Sequence, residues 1–493
     1  MRKKFLTNLI LLLFLNLLVK PFWIFGIDRV VQNAVGAEEY GFYFTILNFT
    51  FIFNILLDFG ITNFNNRNIA QHHQLLHKHF SGLVILKFLL SLVYFAVIFI
   101  VGLIMKYDAR QMTLLAVLGF NQFLLSFILY LRSNISGLLM FKTDSMLSVM
   151  DRLLMILFCG ILLWGNVTDQ SFKIEWFAYS QTAAYLVTIV IAAAIVIYKA
   201  EFRKLYWNRL FFIMIIKKSF PFAILVLLMA FYNRVDSVMI EKILRNSIGN
   251  EQSGVYAQAY RLLDAVNMIA YLFSVLLLPL FARMIKNKQP VNELVRLSFS
   301  LLFIAAIMVA MGAVFYNEPI MRLLYPARIM ELPEVYELRI SQSAQVFSLL
   351  MCGFIPISTT YVFGTLLTAN GNLKQLNIVA AFGMVLNIVM NLVLVPRLFA
   401  VGSAITSLTT QSITAILQVL LAQYFFRFKI NFNFLIRMII FAVGSLLMAW
   451  FSINLGLNWI NSFISLMLLI LAFSFLTKIL SFKTLFEILK EYE

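Results

Sequence analysis

The stretch SGLVILKFLLSLVYFAVIFIVGLI, residues 81–104, holds one charged side chain among 24 positions. A helix needs roughly 20 mostly apolar residues to cross the hydrocarbon core of a bilayer. Comparable runs recur along the chain, in which 62% of the 493 residues are hydrophobic and 12% are charged. Because a lipid environment requires every backbone hydrogen bond to be satisfied internally, the sequence predicts a polytopic helical membrane protein.

The apolar runs predict an all-α fold with about 14 transmembrane helices. The predicted crossings are 6–27, 40–60, 81–104, 112–131, 144–164, 175–198, 211–233, 254–281, 298–316, 342–368, 376–396, 402–425, 434–453 and 457–477. An even number of crossings places both termini on the same side of the membrane. No small-residue cleavage site follows the first run, so we expect that run to be a retained helix rather than a signal peptide.

The charges of the loops predict the orientation, since Lys and Arg concentrate in cytoplasmic connections. With the N-terminus inside, the basic residues fall in the inner loops, and the outer loops hold acids such as Glu38, Glu39 and Asp108. Both termini are therefore expected to be cytoplasmic. The net charge of +17 follows mainly from this topology. Because the charge is dispersed over short loops, we expect no nucleic acid among the partners.

One pattern of residues occurs twice, with six predicted crossings between the copies. In the first copy Ile27-Asp28-Arg29-Val30 precedes Tyr40-Gly41-Phe42-Tyr43. In the second copy Val235-Asp236-Ser237-Val238 precedes Ser253-Gly254-Val255-Tyr256. The repetition predicts two six-helix lobes in a pseudo-twofold arrangement about an axis along the membrane normal, with the substrate path between them.

The repeat and the loop composition together predict the domain boundaries. A basic segment interleaved with aromatic residues separates the lobes, and it suits either the cytoplasmic membrane surface or a plain linker helix. The predicted parts are an N-terminal six-helix lobe (1–198), a cytoplasmic basic amphipathic linker (199–218), a C-terminal six-helix lobe (219–425), and two additional helices with a cytoplasmic tail (426–493).

Charged residues inside the crossings are the candidates for a functional site, because charge is rarely tolerated at this depth. The candidate substrate-binding residues are Arg29, Lys87, Arg152, Arg234 and Arg261. The candidate proton-coupling residues are Asp28, Asp236 and Asp264. For each charge taken singly, an internal ion pair or a side chain that snorkels to the interface is the alternative.

Taken together, these charges predict a hydrated cavity with a positive bias. Such a cavity favours an anionic ligand, and the planar donors of Arg suit phosphate because they bind two oxygens at once. Nearby carboxylates are suited to proton exchange when the exposure of the cavity changes. Asn121, Gln122, Asn267, Asn387 and Asn391 add amide groups inside helices, which interhelical hydrogen bonding explains equally well.

Other site chemistries find little support in the sequence. The four histidines lie in the short segment His72-His73-Gln-Leu-Leu-His77-Lys-His79, and nothing nearby completes a metal shell. The sequence has no phosphate-binding Gly-Lys-Ser/Thr loop, dinucleotide fingerprint or nucleophile elbow. We therefore expect no metal, no cofactor, no catalytic residues and no enzymatic activity.

Several segments resemble one family in their order and spacing over most of the chain. They are Pro21-Phe22-Trp23, Tyr40-Gly41-Phe42-Tyr43, Leu57-Asp58-Phe59-Gly60, Asn66-Arg67-Asn68, the run from Gly254 to Asp264, Ala369-Asn370-Gly371-Asn372-Leu373-Lys374, and Leu386-Asn387 through Val395-Pro396 to Gly402. The chain resembles the polysaccharide transporter, or O-antigen flippase, branch of the multidrug/oligosaccharidyl-lipid/polysaccharide exporter superfamily. The two extra helices leave the subfamily open, since the related lipid II flippases also have a longer form.

The resemblance implies a V-shaped pair of lobes that opens alternately to either face of the bacterial cytoplasmic (inner) membrane. It implies a flippase that moves an undecaprenyl-diphosphate-linked oligosaccharide for cell-surface polysaccharide synthesis. Expected partners are this substrate, membrane lipids, an ion or proton gradient, and a polysaccharide polymerase or other assembly proteins. The alternatives are a drug or small-molecule exporter of the same superfamily and a membrane glycosyltransferase or polysaccharide polymerase.

Overall fold

A computed structural model of the chain describes residues 15–16, 18–19, 21–62, 65, 69, 74–138, 140–165, 167, 170–200, 207, 209–327, 331–429 and 431–479. The regular structure of these residues is helical, which confirms the predicted all-α class. Two short segments are a π-helix, Trp23–Asp28, and a 3-10 helix, Asn54–Leu57. The α-helices are α1 (Arg29–Val35), α2 (Ala37–Ile52), α3 (Leu75–Ile104), α4 (Ala109–Gly137), α5 (Phe141–Trp164), α6 (Ile174–Ala200), α7 (Arg209–Leu244), α8 (Asn246–Lys286), α9 (Asn292–Phe315), α10 (Asn317–Leu324), α11 (Pro333–Cys352), α12 (Phe354–Ala369), α13 (Leu373–Phe426), α14 (Phe432–Ile453) and α15 (Trp459–Leu476).

Among the described residues, 11 helical segments are long and apolar enough to cross a membrane. The difference from the predicted 14 has three sources. Most of the first predicted crossing, 6–27, lies outside the described residues, and α2 has only 16 residues. The predicted crossings 376–396 and 402–425 both lie in α13, which is interrupted at Phe399, where φ is 54° and ψ is −135°. The total of 14 therefore stays a prediction.

The contacts divide the chain into two compact units, Met1–Ala257 and Gln258–Glu493. In the first unit α2 packs against α4 and α7. Almost every side chain of α2 is buried, so α2 is a central helix with no solvent-facing side. The predicted boundaries place α7 in the second lobe, whereas packing groups α7 with α2. The predicted lobes rest on the repeated residue pattern and the compact units rest on packing, so the predicted boundaries stay a prediction.

In the second unit the last two helices, α14 and α15, pack against each other and against α9. Ile304 of α9, Phe441 of α14, and Leu466 and Ile470 of α15 belong to one buried apolar cluster. The pair is thus bound to the unit by its own hydrophobic core. Residues 201–206 and 208 of the basic segment 199–218 lie outside the described residues, and α7 begins at its Arg209.

Candidate functional site

Each aspartate of the repeated pattern is hydrogen-bonded to a tyrosine. Asp28 ends the π-helix, and its Oδ1 accepts a hydrogen bond of 2.8 Å from Tyr40 Oη. Asp236 Oδ2 in α7 accepts a hydrogen bond of 2.7 Å from Tyr256 Oη in α8. Both aspartates are only 1% exposed. Burial without a donor would be costly for a carboxyl group, and in both copies a tyrosine supplies the donor.

Arg152 lies on α5, with its guanidinium carbon 5.7 Å from the centre of the Trp23 ring. Its Nε is 3.6 Å from Asp151 Oδ2, and its Nη1 is 3.2 Å from Met155 Sδ. The side chain is 25% exposed. Arg152 therefore makes a cation–π contact with Trp23 and keeps part of its side chain at the surface.

The other two predicted substrate-binding arginines of the first unit, Arg29 and Arg234, are half-buried. Arg234 lies with its guanidinium carbon 5.3 Å from the centre of the Phe51 ring, and its Nη1 is 3.5 Å from Asn48 Oδ1 in α2. The Nε of Arg29 is buried and has no hydrogen-bond acceptor among the described residues. An unmet donor on a buried charged group is costly, so Arg29 is a reasonable point for an acceptor from a ligand or water.

Lys87 is the most enclosed of the predicted substrate-binding residues. Its side chain is 2% exposed, and its Nζ lies 2.6 Å from Asp58 Oδ1 and 2.8 Å from Ser126 Oγ. This placement supports the alternative in which the charge belongs to an internal ion pair.

Arg261 and Asp264 lie on α8, in the second unit. Arg261 Nη1 is 3.6 Å from Asp264 Oδ2, and the two side chains are 17% and 18% exposed. The distance is longer than that of a good charge-assisted hydrogen bond, so the pair is a loose one on a shared helix face.

Within the first unit, α2 and the start of α8 approach each other very closely at two glycines. A Cβ on Gly41 would lie 1.8 Å from the backbone oxygen of Asn250, and a Cβ on Gly254 would lie 1.9 Å from that of Ala37. Neither position has room for a side chain. The repeated pattern therefore supplies, in both copies, the glycine that lets the two helices cross.

A polar seam continues from this crossing. Thr45 Oγ1 lies 2.7 Å from Ser253 Oγ, and Asn48 Nδ2 donates a hydrogen bond of 2.9 Å to Ser237 Oγ. All four residues are buried. Small hydroxyl and amide groups of this kind associate membrane helices through close packing and hydrogen bonds.

At the expected outer ends of three helices, one arginine holds two glutamates. Arg110 donates to both carboxylate oxygens of Glu39, at 2.9 and 2.6 Å, and Glu175 Oε1 lies 2.8 Å from its Nη2. This link joins the first turns of α2, α4 and α6. Hydropathy and spacing do not predict this link, because the three residues are far apart along the chain.

Three of the amides that the sequence places inside helices form hydrogen bonds, either between two helices or within one. Asn121 Nδ2 donates a hydrogen bond of 3.1 Å to the Ala178 oxygen of α6, and Asn121 Oδ1 accepts one of 2.7 Å from Thr182. Asn391 Nδ2 donates to Asn387 Oδ1 at 3.0 Å inside α13.

No group of three or more His, Cys, Asp and Glu side chains that could hold a metal ion is found in the part of the chain that the structure describes. The side chains of the four histidines lie outside that part.

Solved structures share this fold. A structure described as "Lipid II flippase MurJ, inward closed conformation" aligns with a TM-score of 0.71 at 14% identity, covering 94% of this chain and 98% of that chain. An inward-facing multidrug resistance MATE family transporter aligns with a TM-score of 0.58 at 15% identity, covering 84% and 94%. A transporter from Pyrococcus furiosus, described as having a binding pocket of reverse polarity that suggests a different function, aligns with a TM-score of 0.54 at 14% identity, covering 85% and 94%. The chain thus shares the fold of these transporters.

A family model described as "Polysaccharide biosynthesis protein" matches residues 5–285, and the chain belongs to that family. The predicted family is therefore confirmed, and the protein is a multi-pass membrane protein. A comparison with curated protein sequences gave no match.

Proposed function

We propose that the protein is a flippase that moves a polyprenyl-diphosphate-linked oligosaccharide across the bacterial cytoplasmic membrane by alternating access. The family supports a role in polysaccharide synthesis, and the name of the lipid II flippase supports a lipid-linked substrate on this fold. In this proposal the protein binds the diphosphate-sugar headgroup while the polyprenyl tail stays in lipid, and no covalent bond is made or broken.

The observation that carries the proposal is the unequal exposure of the predicted acidic and basic site residues in the first unit. Asp28 and Asp236 are buried against tyrosines, whereas Arg152 keeps a quarter of its side-chain surface exposed. Arg29 and Arg234 are half-buried. Of the predicted site residues in the first unit, those that a ligand can reach are therefore positively charged, which suits a diphosphate.

A multidrug transporter shares the fold, and export of a small molecule is the second candidate. A binding site for cationic drugs would need accessible carboxylates, and the two buried aspartates do not offer them. Polarity separates functions within the fold, as the description of the Pyrococcus furiosus transporter also suggests for that protein.

A glycosyltransferase or polymerase would need catalytic acids in an outer segment. In the segment 317–339, Glu337 and Glu318 pair with Arg322 at 2.5 and 3.7 Å, and Glu331 pairs with Arg339 at 2.8 Å. The hydrogen bonds that Arg322 donates to Glu337 raise the pKa of Arg322, so this pair stays charged. Acids bound to arginines in this way are suited to hold the segment together rather than to transfer a sugar.

The test is reconstitution of the purified protein with a fluorescent lipid-linked oligosaccharide in sealed vesicles. We expect the headgroup to become accessible to an outside quencher faster than in protein-free vesicles. The same vesicles receive an acceptor sugar, a cationic drug and an imposed proton or sodium gradient. Sugar transfer, or drug transport without movement of the lipid-linked sugar, would overturn the proposal.

A further inference from the structure

The second predicted crossing is broken rather than continuous. α2 ends at Ile52, a 3-10 helix occupies Asn54–Leu57, and the backbone then bends at Phe59 (φ 45°) and Gly60 (φ 80°). Helical structure resumes at residues 61–62. A left-handed conformation costs energy at a residue such as Phe59, so the surrounding structure must hold the break in place.

Asp58 lies at this break and organises the chain on its far side. Its Oδ1 accepts a hydrogen bond of 2.5 Å from Thr62 Oγ1, and the Thr62 amide nitrogen lies 3.3 Å from the same oxygen. Asp58 therefore caps the segment that follows the bend, as an aspartate caps the start of a helix.

Lys87 enters the break from α3. Its ammonium group contacts three acceptors, namely Asp58 Oδ1 at 2.6 Å, Ser126 Oγ at 2.8 Å and the Ser126 carbonyl oxygen at 3.3 Å. Ser126 Oγ in turn lies 3.2 Å from the carbonyl oxygen of Leu57. One lysine thus connects the broken end of the second crossing to α3 and α4.

The hydrogen-bonding capacity of Lys87 is used up in this arrangement. An ammonium group has three protons, and each has an acceptor here. Lys87 lies about 10 Å along α3 from Phe80, where the candidate span begins. A diphosphate would have to displace the carboxylate of Asp58, whose side chain is 25% exposed, in order to reach the ammonium group.

We propose that Lys87 is a positioning residue, a tethered counter-cation of Asp58 that fixes the break and makes α2 move with α3 and α4 during transport. The functional part of this inference rests on the proposed flippase activity. α2 also carries Gly41 and Thr45, which contact α8. The Lys87–Asp58 pair therefore fixes the end of α2 that lies away from its crossing with α8.

The test is a double-mutant cycle of Asp58→Asn, Lys87→Met and the double variant, with Lys87→Arg as the conservative change. Lys199→Met, at an exposed lysine, is the matched control. Thermal unfolding is measured in detergent without substrate, and the flipping rate is measured in vesicles. Removing the Asp58 charge leaves the buried Lys87 ammonium group unpaired, whereas removing both charges relieves this cost.

We expect both single variants to unfold at lower temperature than the parent and the double variant to recover the melting temperature. The double variant should still flip about tenfold more slowly than the parent, because its neutral side chains no longer tether the break. Lys87→Arg should keep more transport than Lys87→Met, since it retains the charge.

Two results would overturn the inference. If the double variant flips at the parental rate, the pair only stabilises the fold. If Asp58→Asn behaves like the parent while Lys87→Met loses lipid-linked sugar binding, Lys87 is a substrate ligand. If a single variant does not insert into the membrane, its melting temperature cannot be measured. Insertion of the double variant is then compared with that of the single variant, and restored insertion supports the pair. The melting cycle needs no substrate, so it tests the pair even if the parent does not flip this lipid.

Discussion

The hydroxyl group of Tyr256 donates a hydrogen bond of 2.7 Å to the buried carboxyl group of Asp236. The same chemistry recurs in the first copy of the repeat, where Tyr40 donates to Asp28 at 2.8 Å. The positions differ, because Tyr40 immediately precedes the glycine of its helix whereas Tyr256 lies two residues after it. The two copies therefore share a buried carboxyl–tyrosine bond without sharing the register of the donor.

Replacing Tyr256 by Phe removes this donor and keeps the ring. We expect the free energy of unfolding to fall by about 1–3 kcal/mol, because a buried carboxyl group loses its hydrogen bond. Thermal unfolding in detergent measures the change. Tyr424→Phe is the matched control, since Tyr424 is 75% exposed. A melting temperature for Tyr256→Phe equal to that of the control would mean that the bond contributes nothing.

Hydropathy was sufficient to place many of the helices but not to find the break in the second crossing. The predicted crossing 81–104 lies within α3, whose length follows from its apolar run. Hydropathy predicts one continuous helix over 40–60, whereas the chain bends at Phe59 and Gly60. Hydropathy does not detect this bend, because the bend is stabilised by Lys87, which lies on a different helix.

For the candidate site, the sequence predicts which charged residues lie inside the crossings but not which side chains they contact. Asp28 is a candidate because it belongs to the repeated pattern. Tyr40, which donates a hydrogen bond to Asp28, is evident in the sequence only as part of the pattern at the start of the next helix. Lys87 was predicted to bind substrate, and that role is untested, but its contacts with Asp58 and Ser126 favour an internal pair. Which atoms meet depends on tertiary packing, and hydropathy carries no information about it.

The crossing of α2 and α8 gives a prediction about how closely these two helices approach. Gly41→Ala should oppose the crossing, because the added Cβ would lie 1.8 Å from the Asn250 oxygen. The measurement is disulfide formation between Thr45→Cys and Ser253→Cys, whose hydroxyls are 2.7 Å apart in the parent. We expect efficient cross-linking in the parent background and a reduced yield with Gly41→Ala.

The cross-linking experiment needs a background without native thiols, so Cys159 and Cys352 are both replaced by Ser. Gly160→Ala is the matched control, because a Cβ there meets only Trp164, at 3.5 Å. An undiminished cross-linking yield with Gly41→Ala would show that the crossing does not depend on the glycine. If the crossing must open during transport, the disulfide should also stop flipping until it is reduced.

Substrate recognition gives a third prediction, for Arg152 and Arg261. Replacing either by Ala should lower flipping about tenfold or more, because charge-assisted hydrogen bonds to the diphosphate are lost. Lys at either position keeps the charge but not the planar fork, so it should restore transport only in part. Arg209→Ala, at an exposed arginine, is the control. Parental flipping rates for both Ala variants, with normal insertion, would remove these residues from the binding site.

The last prediction concerns coupling to a gradient and rests on the loose pair between Asp264 and Arg261, whose Oδ2 and Nη1 atoms are 3.6 Å apart. A carboxylate that is better paired in one conformation than in another changes its proton affinity between them. A proton gradient could then bias the transport cycle. The alternative is that Asp264 only neutralises Arg261.

Asp264→Asn separates these roles, because it keeps the shape of the side chain and removes its titration. We expect the variant to exchange substrate passively at close to the parental rate and to lose its response to an imposed pH difference. Asp144→Asn is the matched control, because Asp144 also pairs with an arginine, Arg132, at 2.8 Å. The exposures of the two aspartates are similar, at 15% for Asp144 and 18% for Asp264. If the Asp264 variant still responds to the gradient as the parent does, then the proton is carried by another group and Asp264 serves the charge balance of Arg261.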